Sequence, residues 1–413
     1  MRARAWQAVL SVAVAGFLLG GCGSDATGPS DRPEPITELP RALTATERDL
    51  LDAGTRFGLD LLGVLAPAHR QENLFFSPLS ASMALGMTLN GADGATFDQM
   101  AATLGYGGLP QAEINAAYAT LLELLQDVDP DVTVSIANAI WFRQGTPFDP
   151  TFVARVQDAF DAEVAAVDFA APATLDRINR WVEEQTGGTI PKLYDALPAG
   201  LVSLLANAVY FEGGWTDRFD PDRTRPGAFA TGGGEVQADF MSRRGVVAYR
   251  EAADHQVVEL PYGGQAWAMT LLLPGEGTDA ADLVAGLDPV AWSALVDGLG
   301  EREIVVELPR FELAWERRLN DDLQALGMID AFDPGRADLS RMIPGGGVWI
   351  DEVKQKSFVK VDEEGTVAAA VTGVTVVESL PTTVRFDRPF VLAIRERLSG
   401  TLLFLGVVRD PTG

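Results

Sequence analysis

Hydrophobic positions along the chain fall into two periods. From Thr44 onward, Leu50, Phe57, Leu61 and Leu65 follow Thr46-Glu47-Arg48 at spacings that place them on one stripe of a helix. A second helix is expected within 73–90, opening after Ser77-Pro78, with further helical stretches near 111–127, 150–162 and 174–187. Between and beyond them lie β-type runs at 132–142, 201–211, 256–262 and 267–273, the last two separated by Gly263-Gly264, a hairpin signal. Helices dominate the first part and strands the later part, which predicts an α+β fold in one intertwined unit. No internal repeat is visible, and no linker interrupts the chain after residue 44.

The first residues follow another pattern. Arg2 and Arg4 precede an almost wholly apolar run over 8–19, which closes on Leu19-Gly20-Gly21-Cys22. That is the layout of an export signal over residues 1–21, too short to serve as a spanning helix. Its end resembles the lipobox of bacterial lipoproteins, which makes Cys22 the expected site of lipidation and implies a membrane as partner. A plain cleaved signal is the alternative, disfavoured because the chain's only cysteine falls at this position. The expected location is therefore outside the cytoplasm, lipid-anchored to a bacterial membrane. Gly23 and Ser24 supply no retention aspartate after the cysteine, which favours the outer membrane or cell surface. Residues 22–42, rich in proline, glycine and charge, are expected to form an extended tether, leaving 43–413 as the folded domain.

Composition narrows the function further. With 413 residues, 47% of them hydrophobic, the chain can bury a large core. A formal charge of -26 argues against nucleic acid as a partner, because phosphate is repelled. One cysteine allows no internal disulfide, and together with two histidines it allows no Cys/His metal cluster. A histidine-dependent nucleophile would have to use His69 or His255, and neither stands in such a motif. The acidic pairs Glu183-Glu184 and Asp321-Asp322 fall on helical patterns as solvated faces, and the glycine triplets at 232–234 and 345–347 read as turns. No cofactor, no metal and no catalytic activity are expected.

One segment stands out. Residues 366–377 carry no charge and no proline, follow a charged run through Glu363, Glu364 and Gly365, and consist of small or β-branched residues throughout. Such a ribbon suits a strand buried on both faces, although alanine and glycine are unusual for a permanent central strand. Small side chains and a proline-free backbone suit a segment that is exposed in one state and slotted into a sheet in another.

These residues lead to a family resemblance. Lys360-Val-Asp-Glu-Glu-Gly-Thr-Val-Ala-Ala-Ala370 resembles the hinge of the serpins, and other blocks agree in order. Asn73-Leu-Phe-Phe-Ser-Pro-Leu-Ser80, Ile178-Asn-Arg-Trp-Val182, Thr186-Gly-Gly-Thr-Ile190 and Ala206-Asn-Ala-Val-Tyr-Phe-Glu-Gly-Gly-Trp215 are similar to serpin blocks. Leu308-Pro-Arg-Phe311, Leu326-Gly-Met328, Ala337-Asp-Leu-Ser340, Phe386-Asp-Arg-Pro-Phe390 and Leu403-Phe-Leu-Gly406 continue the match to the end of the chain. The resemblance implies the serpin fold, with three β-sheets, eight or nine helices and an exposed reactive loop.

It also implies a function: a monomeric suicide inhibitor of serine-type proteases, trapped as a covalent acyl complex when 366–377 inserts as a new strand. Residue by residue, Glu364, Gly365, Thr366, Ala368, Ala369 and Ala370 match the hinge. Ser77, Ser80, Asn207 and Gln355 match the shutter beneath the main sheet, with Gln355 standing where histidine is common in the family. An amide can still donate and accept there. Trp215, Arg310 and Glu363 match the breach, where insertion begins, and Arg310 and Glu363 are expected to pair. Val367 stands where an acidic residue is usual, and Val371 is bulkier than the common alanine. Counting forward from Gly365 places the reactive bond at Ser379-Leu380, and counting back from Phe386 places it at Glu378-Ser379. The first implies an elastase-like target, the second a glutamate-preferring one. A non-inhibitory serpin acting as a cell-surface binding module is the alternative function.

Overall fold

The computed structural model describes residues 34–366 and 382–413. Cys22, Ala368, Ala369, Ala370, Glu378, Ser379 and Leu380 lie outside the described residues. Nine α-helices and fifteen strands are present among the described residues. In chain order the first part holds α1 (Ala45–Ala68), β1 (Leu74–Phe76), α2 (Pro78–Leu89), α3 (Gly94–Thr103), α4 (Gln111–Asp127), β2 (Val132–Arg143), α5 (Pro150–Phe160), β3 (Ala162–Val167), α6 (Pro172–Gln185) and β4 (Ser203–Gly214). Strands then dominate: β5 (Arg225–Thr231), β6 (Gly234–Glu251), β7 (His255–Tyr262) and β8 (Trp267–Pro274) precede α7 (Ala280–Val284) and α8 (Pro289–Asp297). After them come β9 (Gly300–Pro309), β10 (Phe311–Arg318), α9 (Asn320–Ala325), β11 (Lys354–Val361), β12 (Gly365–Thr366), β13 (Thr382–Arg385), β14 (Phe390–Glu396) and β15 (Leu402–Val408).

Local chemistry sets where several helices begin. Thr44 caps α1, its hydroxyl accepting from the Glu47 N–H while the Glu47 carboxylate accepts from the Thr44 N–H. Ser77 caps α2 and Pro78 follows at the first helical position, where its missing N–H costs nothing. The short helix α3 lay unread in the sequence, because its burial is confined to Thr96, Met100 and Ala101 and no long stripe marks it.

The strands form a nine-stranded sheet, a four-stranded sheet ordered β12-β4-β2-β3, and a two-stranded sheet of β10 and β11. Alternation along β2 and β4 divides the core. Val134, Ile136 and Ile140 enter the large core with α2, α4 and α5, while Ala139, Trp141, Ala206 and Ala208 face α6 on the other side. Trp181 of α6 meets Trp141 edge-to-face at 5.2 Å.

Two expectations need correction. The tether was expected to reach residue 42, yet Ile36, Leu39 and Leu43 pack on the core and the Ile36 N–H donates to the Gly264 carbonyl at 2.7 Å. Arg41 also pairs with the buried Glu47, so apolar burial and a charge-assisted bond draw this stretch onto the body. Asp322 is not a solvated acid. It is 4% exposed and takes both Nε and Nη2 of Arg317 at 2.8 and 2.9 Å, because α9 turns it inward.

Candidate functional site

The four-stranded and two-stranded sheets present facing edges that no ladder joins among the described residues. β4 pairs with β2 along one edge, and along the other it meets, among the described residues, only the two of β12. β11 pairs with β10 over eight residues and carries no second ladder among the described residues. The result is a slot bordered by β4 and β11, along which no described strand beyond the two residues of β12 pairs with either edge. A strand edge is a template for another strand.

Its upper end is closed by the chain itself. After β11 the backbone turns through 362–364 and comes back as β12, where Gly365 pairs with Gly214 and Thr366 with Gly213, antiparallel to β4. Two positions of a middle strand are thus already in place. Gly365 has φ +141, and a Cβ there would stand 2.3 Å from the Gly213 carbonyl, so glycine alone lets the hinge approach β4 this closely.

Aromatic and ionic contacts hold this end. Trp215 stacks on Tyr262 at 4.4 Å, its indole N–H donates to the Asp362 carbonyl at 2.9 Å, and its backbone N–H donates to the Glu364 carbonyl at 2.9 Å. The Tyr262 hydroxyl lies 3.0 Å from the Thr366 hydroxyl, and burial drives the Tyr262 pKa well upward, so the phenol stays neutral. Arg310 reaches the Glu363 carboxylate with Nε at 2.8 Å and Nη2 at 2.5 Å, and the Thr224 hydroxyl donates to the same carboxylate. Burial raises the Glu363 pKa, but the bonds from Arg310 and Thr224 outweigh it and hold the carboxyl below its ordinary value.

Beneath the slot lies a cavity of about 40 Å³, floored by α2 and lined by Ser80, Ala84, Leu205, Asn207, Lys354 and Gln355 among others. Gln355 is 7% exposed and works in both directions, its Oε1 accepting from the Ser77 N–H at 3.2 Å and its Nε2 donating to the Ser77 carbonyl at 2.8 Å. Ser77 and Ser80 meet through the α2 cap. Asn207 is placed on the far border and bonds elsewhere. Register sets it opposite Asn138, to whose Oδ1 it donates at 2.6 Å, and its own buried Oδ1 has no hydrogen-bond partner among the described residues.

The expected residues thus fall into two groups, with Trp215, Arg310, Glu363, Glu364, Gly365 and Thr366 around the upper end and Ser77, Ser80, Gln355 and Asn207 about the cavity. Sequence reading gave no role to Tyr262, Asn138 or Thr224, because each acts through partners 69 to 139 residues away in the chain and carries no local signal. His69 and His255 remain apart, each beside one acid, Glu72 and Asp254. No group of three or more potential metal ligands occurs among the described residues.

Comparison with known proteins agrees with this architecture. Residues 52–411 match the family model described as Serpin (serine protease inhibitor). Iripin-2 of Ixodes ricinus is 37% identical over 88% of this chain and 94% of its own length. The leukocyte elastase inhibitor of Homo sapiens is 33% identical over 88% of this chain and 99% of its own. Among solved structures, the thermophilic serpin Tengpin in its native state superposes with a TM-score of 0.81 at 28% identity, covering 92% of this chain and 97% of that one. With the split sheet, the hinge and the match over most of its length, the chain belongs to the serpin family.

Proposed function

We propose that this serpin is a suicide inhibitor of serine-type proteases that closes its slot with its own loop. The observation that carries the reading is the two-residue start of a middle strand at Gly365 and Thr366, followed in sequence by an arm without charge or proline. A protease attacking the loop forms an acyl-enzyme, and the severed arm 366–377 zips downward between β4 and β11. About a dozen ladder bonds at roughly 1 kcal/mol each, with added apolar burial, drive the step and drag the protease along. The chain acts as a consumed reactant rather than a turnover catalyst.

The reactive bond is assigned to Ser379-Leu380, with Glu378-Ser379 as the neighbouring alternative. Val377 and Ser379 are small residues that suit an elastase-like pocket, and similarity to a leukocyte elastase inhibitor supports that choice. Export, lipidation at Cys22 and display on the outer membrane or cell surface complete the reading, on the strength of the leader sequence. Incubation with elastase-, trypsin- and glutamate-specific proteases tests it. The expected result is an SDS-stable adduct with one of them, a cut at 379–380 found by sequencing the released peptide, and a sharply higher melting temperature of the nicked protein. Cleavage without adduct and without a rise in melting temperature would instead favour a binding module.

A further inference from the structure

The segment between α6 and β4 joins the two borders of the slot on the face that α6 covers. Asn179 of α6 anchors it, its Oδ1 accepting from the N–H groups of Leu193 and Tyr194 at 2.9 and 3.1 Å and its Nδ2 donating to the Tyr194 carbonyl at 2.8 Å. Tyr194 is 7% exposed and packs in the smaller core with Trp181 of α6 and with Ala206 and Ala208 of β4. Its polar contacts reach the opposite border. The hydroxyl donates to Glu352 Oε2 at 3.1 Å, and the Lys354 ammonium stands 4.7 Å from the ring centroid. Lys356 adds a bond from Nζ to the Lys192 carbonyl at 3.1 Å. Glu316 on β10 braces both lysines at 2.5 and 3.1 Å.

The position of this contact along the slot matters. Lys354 is the first residue of β11, so Tyr194 spans the lower end, farthest from the hinge at Gly365. A middle strand sends alternate side chains to each face, and those facing α6 at the lower end meet the Tyr194 ring. The arm's alanines at 368–370 enter first, and continuing the register set at β12 brings 371–375, with their valines and threonines, level with Ala208 to Leu204 at this point.

We propose that Tyr194 is a positioning residue that latches the lower end of the slot across Glu352 and Lys354, so that insertion begins freely and its completion waits on release of this contact. The inference rests on the loop-insertion reading. A latch of this kind sets how long the acyl-enzyme has to hydrolyse before the protease is trapped, and it also restrains the uncut loop from inserting on its own.

The test uses the full-length protein, nicked in its loop by a trace of a metalloprotease such as thermolysin, which forms no acyl-enzyme and so is not trapped, and then quenched with EDTA, with insertion followed as the rise in melting temperature over time. Tyr194→Ala is expected to complete insertion roughly tenfold faster than wild type, and Tyr194→Phe and Lys354→Met a few-fold faster, since each removes one contact. The rate of the initial cut and the melting temperature of the final inserted form should stay unchanged, which a general loss of stability would not allow. Wild-type or slower insertion in Tyr194→Phe and Lys354→Met overturns the latch, even if Tyr194→Ala fails to fold. Absence of any rise in nicked wild type overturns the insertion reading itself, and is seen without any variant.

Discussion

At Glu363 burial and hydrogen bonding act in opposite directions on one carboxyl. Its side chain is 5% exposed, yet the Arg310 and Thr224 bonds keep it ionised and below its ordinary pKa. The stabilisation is therefore present above the ordinary carboxylate range and is lost as pH falls through the lowered value. Replacing Glu363 by Gln removes the charge but keeps the shape, and should cost about 1–2 kcal/mol. The variant is expected to melt lower at neutral pH, to differ less from wild type in acid, and to lose inhibitory capacity faster on storage; melting curves at two pH values and timed residual-inhibition assays check this. Gln355 stands where the family resemblance implies a histidine, and it bonds the start of α2 with one side chain. Its amide satisfies both backbone groups of Ser77, which a single ring nitrogen cannot do at once.

On the scale of elements, α1 shows how a cap becomes a tertiary clamp. The Glu47 carboxylate is fully buried and takes Arg41, the Thr44 N–H and the Thr120 hydroxyl. These bonds, chiefly that from Arg41, lower its pKa from 4.5 to about 2 against the opposing effect of burial. Because the folded value lies below the unfolded one, the clamp stabilises fully above pH 4.5 and fades between there and pH 2. Its worth at neutral pH is on the order of 3 kcal/mol. Glu47→Gln should therefore lower the melting temperature at pH 7 and flatten its decline in acid, measurable by thermal unfolding from pH 7 to 2.

On the scale of the molecule, the proposed function gives the leader and the body separate duties. A lipid on Cys22 would hold the protein at a membrane, whereas insertion of the arm would proceed wherever the body is. Cys22→Ala is therefore expected to move the protein from the membrane fraction to the soluble one on cell fractionation, with inhibition unchanged in solution. A release into solution that also abolished inhibition would contradict this division.

Much could be read from the chain alone, because local order is written in neighbouring residues. Periodicity located α1, α2, α4, α5, α6 and the hairpin of β7 and β8 to within a few residues, and the uncharged arm and its hinge motif stand out without any coordinates. Residues whose partners are distant could not be read in that way. That Asn207 faces Asn138, that Tyr262 meets Thr366, that Asp322 is inward and that Tyr194 bridges two strands follow from register and packing. Such contacts arise only when segments far apart in the chain are brought together by burial of their apolar faces, and no short window of sequence carries that information.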